Sequence, residues 1–284
     1  MLKRAFQYLG LFILVLFSFF YTEKAITVVK NVDPIMIKIN EEKDKYKIDA
    51  KDAHIEGSFI VPGIYGKKVN EDLSYKKMKL AGNYYESMLA FDFIKPSISI
   101  SDNYDKYISL GNKGKNSVSI IIKVNDNDNI KSILHIFDKL GVNATFFIDA
   151  IYFEENPNVV NDIIKSAHEI YSYGINGEYD EKSLIFQNNV LETVTSNYSR
   201  YCYTDIVNDN VLNTCLKHRI RTIVPDVLVE NNPLTSVKNS VKSGSIISFD
   251  VTSQLNQEIE LIIKFLKSKG LEIRTLDDLL DERL

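Results

Sequence analysis

The sequence predicts an α/β protein: an irregular barrel of seven strand–helix units, the (β/α)7 type, preceded by a small α+β module and an N-terminal transmembrane helix. Three observations lead to this prediction. The chain opens with an apolar segment, continues with short apolar stretches separated by turn residues, and from residue 117 alternates strand-like with helix-like patterns. Such alternation is typical of a parallel sheet, because parallel neighbours need a crossover that is usually a helix. We expect the sheet to close into a barrel.

The composition is that of an ordinary folded protein. Of the 284 residues, 45% are hydrophobic and 25% are charged, which argues against intrinsic disorder. The formal net charge is −4, and no strongly basic segment is present to neutralise a phosphate backbone. Nucleic acid is therefore not an expected partner.

Residues 1–22 have the character of a membrane anchor. Lys3 and Arg4 precede an apolar run from Ala5 to Tyr21. As a helix this run would span roughly 25 Å, a little less than the ~30 Å hydrocarbon core of a bilayer. The segment has no clear small-residue cleavage site, so we expect an uncleaved anchor rather than a cleaved signal peptide or a buried soluble helix. The positive charges predict a single-pass location in the cell membrane, with the globular part extracytoplasmic.

The two cysteines, Cys202 and Cys215, lie 13 positions apart. An extracytoplasmic location permits a disulfide between them, which would stabilise the fold by roughly 3 kcal/mol through loop-closure entropy. Two buried free thiols are the alternative. A zinc site usually needs four ligands, so two cysteines alone do not indicate one.

Residues 23–111 are expected to form the small α+β module with a leading stalk. Turn signals interrupt its apolar stretches, and Ser97–Ser101 alternates serine with isoleucine at the period of a half-buried strand. His54 has no neighbouring metal-ligating partner and is expected to be structural. The polar, glycine-containing segment 112–116 is the expected linker to a barrel at residues 117–284.

The barrel region divides into alternating elements. Ser117–Val124 is a β-branched run, and residues 128–140 place their apolar side chains on one helical face before Gly141 at the C-cap position. Further strands are predicted at 144–149, 169–173, 200–203, 219–224, 245–249 and 271–275, and further helices at 161–167, 184–196, 210–217, 256–269 and 276–281.

Four segments of this region follow one another in a recognisable order: Gly141–Ile148, His168–Ile170, Gly244–Ile247 and Gly270–Leu276. In this order they resemble the polysaccharide deacetylase family, also called the NodB-homology or carbohydrate esterase family four domain. The resemblance runs from about residue 117 to residue 281 and implies a distorted (β/α)7 barrel. It also implies cell-wall glycan or peptidoglycan as the partner.

Active members of that family hold a divalent metal, often zinc, on an Asp-His-His set, with a second aspartate as the catalytic base. The resemblance aligns Lys123–Asn127 with the segment that carries both aspartates, so that Asn125 falls at the base and Asp126 keeps the ligand position. The two histidine positions fall near Tyr173 and Gly177, and neither residue replaces imidazole. An amide is also no useful base. We therefore expect no zinc-dependent catalysis and no cofactor, with Asp126 as the retained metal ligand.

Three further positions of the resemblance concern the site. Asp250 stands where the family has a late catalytic histidine. Arg200 and Tyr203 match an Arg-x-Pro-Tyr segment whose proline is Cys202 here. Because the catalytic positions are degenerate, we expect a binding role, with candidate ligand-binding residues Asp126, Tyr173, Arg200, Tyr203 and Asp250.

Three functions are compatible with the sequence. The first is an inactive, deacetylase-like protein that binds cell-wall glycan, with tyrosines near the barrel mouth stacking on sugar rings; the alternative for these tyrosines is packing within the barrel wall. They are Tyr171, Tyr173, Tyr179, Tyr201 and Tyr203. The second is an active hydrolase of amide bonds in glycans, with a non-standard site around Asp126, Asp205 or Asp250 and, in that case only, a divalent metal such as zinc. The third is a structural spacer whose N-terminal module does the binding.

Overall fold

The structure is a computed structural model. It describes residues 12–15, 17–18, 28–125, 129–175, 177–182, 184–185, 189, 191–192 and 200–283. Of the predicted membrane anchor, residues 12–15, 17 and 18 are among them, and these are helical with exposed side chains. Within the described ranges, no helix combines the length and the apolar character that a bilayer crossing requires.

Strands and helices alternate along most of the described chain. The strands are β1 (His54–Glu56), β2 (Phe59–Val61), β3 (Gly66–Val69), β4 (Phe91–Ile94), β5 (Tyr107–Ile108), β6 (Ser117–Val124), β7 (Thr145–Ile148), β8 (Glu169–Ser172), β9 (Tyr201–Tyr203), β10 (Arg221–Ile223), β11 (Val227–Val229), β12 (Ile246–Asp250) and β13 (Glu272–Arg274). The α-helices are α1 (Pro34–Glu42), α2 (Glu71–Ala81), α3 (Lys131–Leu140), α4 (Ala150–Glu155), α5 (Pro157–Lys165), α6 (Asp209–Lys217), α7 (Pro233–Ser240), α8 (Ser253–Ser268) and α9 (Leu276–Leu280). Short 3-10 helices lie at Lys43–Tyr46, Glu86–Met88 and Lys113–Lys115.

The described residues of the ranges 1–50 and 65–94 form the first of two compact units. In its described part, α1 packs on α2, and β3 pairs with β4 in an antiparallel ribbon. The carboxylate of Asp33 accepts the backbone N–H of Ile35 at 2.9 Å and so caps the N-terminus of α1. A small apolar core fills the unit and consists of Ile35, Met36, Ile39, Val69, Met78 and Leu89.

The second unit, residues 51–64 and 95–284, is built on two sheets. The first has the strand order β11-β12-β6-β7-β8 with parallel neighbours, and β13 pairs in parallel with the beginning of β6. The second has the order β1-β2-β5-β10-β9 and is parallel except for the β1–β2 pair. The α/β fold with parallel strands is confirmed, but in the described residues the predicted single closed sheet is replaced by two separate, mainly parallel sheets.

Side chains of the first sheet alternate between two cores, because successive residues of a strand point to opposite faces. On β6, the even-numbered residues of Val118–Val124 belong to the core that the helices cover, whereas Ile121 belongs to an inner core that the two sheets share. The same alternation separates Phe146, under the helices, from Phe147, in the inner core. The inward-pointing series of β6 therefore ends at Lys123.

The two units divide the chain at other positions than the sequence predicts. Residues 51–64 and 95–111, which the prediction placed in the small module, belong to the barrel unit. The physical reason is strand pairing: β2 pairs with β5 and β5 pairs with β10, so the second sheet contains strands from both parts of the chain. The carboxylate of Glu282 adds to this connection by accepting the backbone N–H groups of Gly63 at 2.8 Å and Ile100 at 3.3 Å.

Two helices of the barrel unit begin at prolines. α5 begins at Pro157, before the predicted start at residue 161, and α7 begins at Pro233, where the sequence analysis predicts no helix. Proline suits the first helical position because its missing N–H has no partner there and its φ is already helical. The helix predicted at 184–196 lies mostly outside the described residues.

Candidate functional site

The carboxyl ends of three strands bring charged side chains together. Lys123 is the last inward-pointing residue of β6, Asp250 ends β12, and Asp205 follows shortly after β9. In parallel sheets the carboxyl ends of the strands share one edge, at which α/β proteins place their sites. We call Lys123, Asp205 and Asp250 the mouth cluster.

Lys123 is buried between the two carboxylates. Its Nζ lies 2.8 Å from Asp205 Oδ1 and 2.9 Å from Asp250 Oδ1. The side chain of Lys123 is 4% exposed, whereas those of Asp205 and Asp250 are 38% and 45% exposed. The lysine thus reaches the mouth from inside the barrel, and the carboxylates lie between its ammonium and the solvent.

The electrostatics of the mouth cluster keep Lys123 charged. Burial lowers the pKa of Lys123, but the hydrogen bonds to Asp205 and Asp250 outweigh burial, and the net pKa is raised. A buried ammonium is tolerated only when it is paired, so the carboxylates compensate its lost hydration. Two negative charges face one positive charge, which leaves the cluster with one net negative charge.

Tyr203 lies beneath the mouth cluster. Its hydroxyl donates to Asp205 Oδ1 at 2.7 Å and lies 2.8 Å from Ser248 Oγ. The Lys123 ammonium lies 5.8 Å from the centre of the Tyr203 ring, within the range of a cation–π contact. Burial raises the pKa of Tyr203, and the neighbouring Asp205 charge raises it further, so the phenol stays protonated. Because Tyr203 is completely buried, it supports Asp205 rather than presenting a face to a ligand.

Tyr173 and Gly177, at the expected histidine positions, lie against each other. The Tyr173 ring is half-buried and packs edge-on against Tyr203, with ring centres 5.8 Å apart. Gly177 has a φ of +79°, and a Cβ at this position would lie 3.0 Å from the Tyr173 hydroxyl. A histidine at position 177 would therefore have to adopt a left-handed backbone and displace Tyr173.

The metal that the resemblance implies does not fit the described residues of this mouth. An ammonium already lies within hydrogen-bonding distance of Asp205 and Asp250, and neither Tyr173 nor Gly177 supplies an imidazole. In the part of the chain that the structure describes, no three His, Cys, Asp or Glu side chains are grouped as metal ligands.

Two expected site residues follow β6. Asp126, the expected metal ligand, lies outside the described residues. Asn125, at the expected position of the base, is half-buried and takes part in an interaction.

Arg200 lies at the opposite end of β9 from the mouth cluster. Its Nη1 donates to Asp277 Oδ2 at 2.9 Å, and its side chain is 55% exposed. The structure therefore separates Arg200 from Tyr173 and Asp250, with which the sequence grouped it. The physical reason is that Arg200 immediately precedes β9, and parallel strands keep their amino and carboxyl ends at opposite edges.

Cys202 and Cys215 form a disulfide. Both residues are completely buried, and the bond joins β9 to α6. Of the two alternatives that the sequence leaves open, the structure has the disulfide rather than free thiols. Because β9 also carries Tyr203 and leads to Asp205, the bond restrains the strand that positions part of the mouth cluster.

Most of the tyrosines assigned to the mouth pack inside the barrel unit. Tyr171 and Tyr201 are 5% and 3% exposed and meet edge to face, with ring centres 5.1 Å apart. Tyr179 is also buried, and its hydroxyl accepts the Tyr203 backbone N–H at 3.0 Å. Of the five tyrosines, Tyr173 is the one that is not buried. Four of the five tyrosines therefore pack within the barrel wall, which is the alternative to stacking on sugar rings.

A half-buried carboxyl group at the amino ends of the strands is expected to make stability depend on pH. Glu169, at the start of β8, accepts hydrogen bonds from the Thr145 hydroxyl at 2.9 Å and the Asp277 N–H at 3.2 Å. Burial, together with the Asp277 charge, raises the pKa of Glu169 from 4.5 to about 7. The folded state therefore binds this proton more tightly than the unfolded chain does. We expect the free energy of unfolding to fall by roughly 3 kcal/mol as the pH rises from about 4.5 to about 7.

Glu169→Gln is expected to remove this contribution to the pH dependence. Urea unfolding of wild type and variant at about pH 5 and about pH 8 measures it. Glu272→Gln, at an exposed glutamate of β13, is the matched control and should keep the wild-type dependence. If Glu169→Gln kept it as well, the raised pKa would be contradicted.

The family resemblance did not indicate Lys123 as a residue of the site. The sequence did contain a signal, since Lys123 is the charged residue of the otherwise uncharged strand Ser117–Val124. A lysine in a fully buried strand needs a carboxylate partner. What the sequence does not provide is the identity of that partner.

Comparisons with known proteins agree with this fold. Residues 111–221 match the family model described as polysaccharide deacetylase. The chain is 27% identical over 282 residues to the uncharacterized protein YlxY of Bacillus subtilis (strain 168), and the match covers 90% of this chain and 86% of that protein.

Solved structures share the architecture. BA3943 of Bacillus anthracis, described as a CE4 family pseudoenzyme, is 24% identical with a TM-score of 0.66, covering 88% of this chain and 96% of that chain. A BA3943 mutant described as having restored enzymatic activity is 23% identical with a TM-score of 0.66, covering 88% of this chain and 99% of that chain. The Bc1960 peptidoglycan N-acetylglucosamine deacetylase is 19% identical with a TM-score of 0.55, covering 61% of this chain and 92% of that chain. The barrel unit has the polysaccharide deacetylase fold.

The resemblance predicted from the sequence is thus confirmed at the level of the fold. The segments Gly141–Ile148 and His168–Ile170 lie within the residues that match the polysaccharide deacetylase model. His168 itself is structural, because its buried Nδ1 accepts the backbone N–H of Ala144 at 3.1 Å and so links the beginnings of two strands.

Proposed function

We propose that this chain is a polysaccharide deacetylase-like protein that binds N-acetylated cell-wall glycan without hydrolysing it. The observation that carries the proposal is the mouth cluster, in which Asp205 and Asp250 share the Lys123 ammonium. The similarity to BA3943, described as a CE4 family pseudoenzyme, supports the same function class.

Amide hydrolysis requires an activated water molecule, and the described residues of the mouth are poorly suited to activate one. Activation needs either a metal ion or a general base within hydrogen-bond reach of the water. Lys123 already engages one oxygen of Asp205 and one of Asp250. Asn125 has an amide at the expected position of the base. Tyr173 brings a phenol whose pKa is raised by burial, so it is protonated and not a base.

The mouth retains features that suit a sugar. Asp205 and Asp250 are partly exposed, so their second oxygens can accept hydrogen bonds from sugar hydroxyl and amide groups. The half-buried Tyr173 ring lies beside them and offers an apolar surface. The shared fold with the Bc1960 peptidoglycan N-acetylglucosamine deacetylase supports cell-wall glycan as the ligand class.

We further propose that residues 1–22 anchor the protein in the cell membrane and hold the globular part outside the cytoplasm. The apolar run that follows Lys3 and Arg4 supports the anchor. The buried disulfide between Cys202 and Cys215 supports an oxidising compartment, because cytosolic proteins generally keep their thiols reduced.

The purified full-length protein is expected to release no acetate from peptidoglycan or chitooligosaccharide, with or without added zinc, and to co-sediment with insoluble peptidoglycan. An enzymatic acetate assay and a sedimentation assay measure the two properties. Acetate release above the protein-free blank would contradict an inactive domain and favour a hydrolase with a non-standard site. Absence of both release and retention would contradict glycan binding and favour a structural spacer.

A pair of tyrosine variants locates the binding surface. Tyr173→Ala is expected to weaken retention about twofold to twelvefold, since an aromatic contact contributes about 0.5–1.5 kcal/mol. Tyr85→Ala, at an exposed tyrosine of the first unit, is the matched control and should bind like wild type. Equal retention of both variants would exclude the barrel mouth as the glycan site.

A further inference from the structure

We propose that the Lys123 ammonium is a built-in substitute for a divalent cation, and that it excludes metal ions from a latent site formed by Asp205 and Asp250. The inference rests on the proposed absence of metal-dependent catalysis and gives it a specific cause in this chain. It concerns Lys123, which is not one of the histidine and aspartate positions that the family resemblance addresses.

The Lys123 ammonium lies between the two carboxylates, at a position that a cation could occupy. Both carboxylates direct their Oδ1 atoms at the same nitrogen, at 2.8 Å from Asp205 and 2.9 Å from Asp250. Hard divalent cations such as Ca²⁺ hold carboxylate oxygens at about 2.3–2.6 Å. A cation at the position of this nitrogen would therefore need the two oxygens to approach by only a few tenths of an ångström.

Both aspartates have support that does not come from the lysine: a hydrogen bond to the carboxylate of Asp205 and strand pairing of the backbone of Asp250. Asp205 Oδ1 accepts the hydrogen bond of the Tyr203 hydroxyl at 2.7 Å, and Ser248 Oγ lies 2.8 Å from that hydroxyl. Asp250 is the last residue of β12, which is paired with β6 along its full length. Removal of the lysine side chain is thus expected to leave two supported, partly exposed carboxylates, with solvent available to complete a coordination shell.

Lys123 is held at the two carboxylates by its burial. Its side chain is 4% exposed and rises from the inner face of a strand whose residues are all buried. A divalent ion that approached the two carboxylates would meet this positive charge at close range, and the two cations repel each other. The tethered ammonium therefore competes with free metal ions for the two carboxylates.

The donor atoms around this position determine which class of cation would fit. The donors around this position are carboxylate oxygens, and the described residues place no imidazole there, since Tyr173 and Gly177 stand at the expected histidine positions. The thiols of Cys202 and Cys215 are consumed in the disulfide. Oxygen ligands favour Ca²⁺ or Mn²⁺ over zinc. The latent site is thus one for a hard divalent cation.

Equilibrium dialysis of the full-length protein against Mn²⁺, with metal analysis of the retentate, tests the proposal. Wild type is expected to take up no stoichiometric metal. Lys123→Met, whose side chain is uncharged and one atom shorter, so that the position of the nitrogen becomes free, is expected to bind about one equivalent, with a dissociation constant of the order of 10⁻⁴–10⁻³ M, as in the weak cation sites of extracellular modules. The double variant Lys123→Met/Asp250→Asn should lose this uptake. Lys76→Met, at an exposed lysine of α2, is the matched control and should behave like wild type.

Two results would overturn the proposal. The first is stoichiometric Mn²⁺ binding by wild type that Asp250→Asn abolishes, which would place the metal between these carboxylates. The second is a folded Lys123→Met variant that binds no more Mn²⁺ than wild type. If Lys123→Met does not fold without metal, recovery of its circular dichroism on addition of Mn²⁺ supports the proposal. Failure of both Lys123→Met and Lys123→Gln to recover with Mn²⁺ counts against it. No glycan is present in these measurements, so their outcome is independent of acetate release or peptidoglycan binding by wild type.

Discussion

Phe147→Ala is expected to lower the free energy of unfolding of the barrel unit by about 3–5 kcal/mol, the usual range for deleting a fully buried phenylalanine ring. Phe147 is completely buried in the core that the two sheets share. The centre of its ring lies 5.6 Å from that of Tyr171 and 5.2 Å from that of Tyr203. The substitution removes both contacts and leaves a cavity that rigidly paired strands cannot close.

Urea unfolding followed by circular dichroism measures this loss. The matched control is Phe93→Ala, at a side chain that is 50% exposed in the first unit, and we expect it to change the free energy of unfolding by less than about 1 kcal/mol. Tyr203 supports Asp205, so the Phe147 variant should also bind peptidoglycan more weakly. A destabilisation no larger than that of the control would contradict the inner core.

Loss of the disulfide is the second large effect that we expect. Replacing both Cys202 and Cys215 with alanine should lower the free energy of unfolding by roughly 3 kcal/mol, because the unfolded chain regains the freedom of the loop that the bond closes. The two residues are 13 positions apart. Both are completely buried, so the alanines also remove packing between β9 and α6.

Single and double variants separate the bond from the packing. Cys215→Ala alone also breaks the bond and should lose most of the stability that the double variant loses. Thiol titration of denatured wild type should find no free thiol. If the double variant unfolded at the wild-type urea concentration, or if wild type carried two thiols, the disulfide would be contradicted. Because β9 leads to Asp205, a destabilised β9 should also reduce glycan retention.

These effects converge on one physical arrangement. The mouth cluster is supported from below by Tyr203, which packs on Phe147, and from the side by the disulfide that fixes β9. A buried ammonium paired with two carboxylates needs such support, since its charge is costly to bury unless its partners are held in place. The rigidity of the inner core is therefore a condition for the ion cluster and for the binding function proposed for it.

The sequence by itself determined several strands and helices of the barrel unit. Alternation of β-branched runs with amphipathic segments predicted β6, β7, β8 and β12 and the helices α3, α6 and α8, since both patterns are local and repeat at the period of the element they form. It also led to the expectation of a degenerate site, because Tyr173 and Gly177 fall at the histidine positions that the resemblance implies.

Only the tertiary structure decided which residues meet. Strand order and register bring Lys123 to Asp205 and Asp250, place Arg200 at the other end of its strand, and add residues 51–64 to the barrel unit. Such contacts join positions far apart in the chain, and hydrophobic periodicity carries no information on which strands become neighbours. A local pattern therefore determines which segments form strands, whereas pairing between distant strands determines which charged groups meet at the mouth.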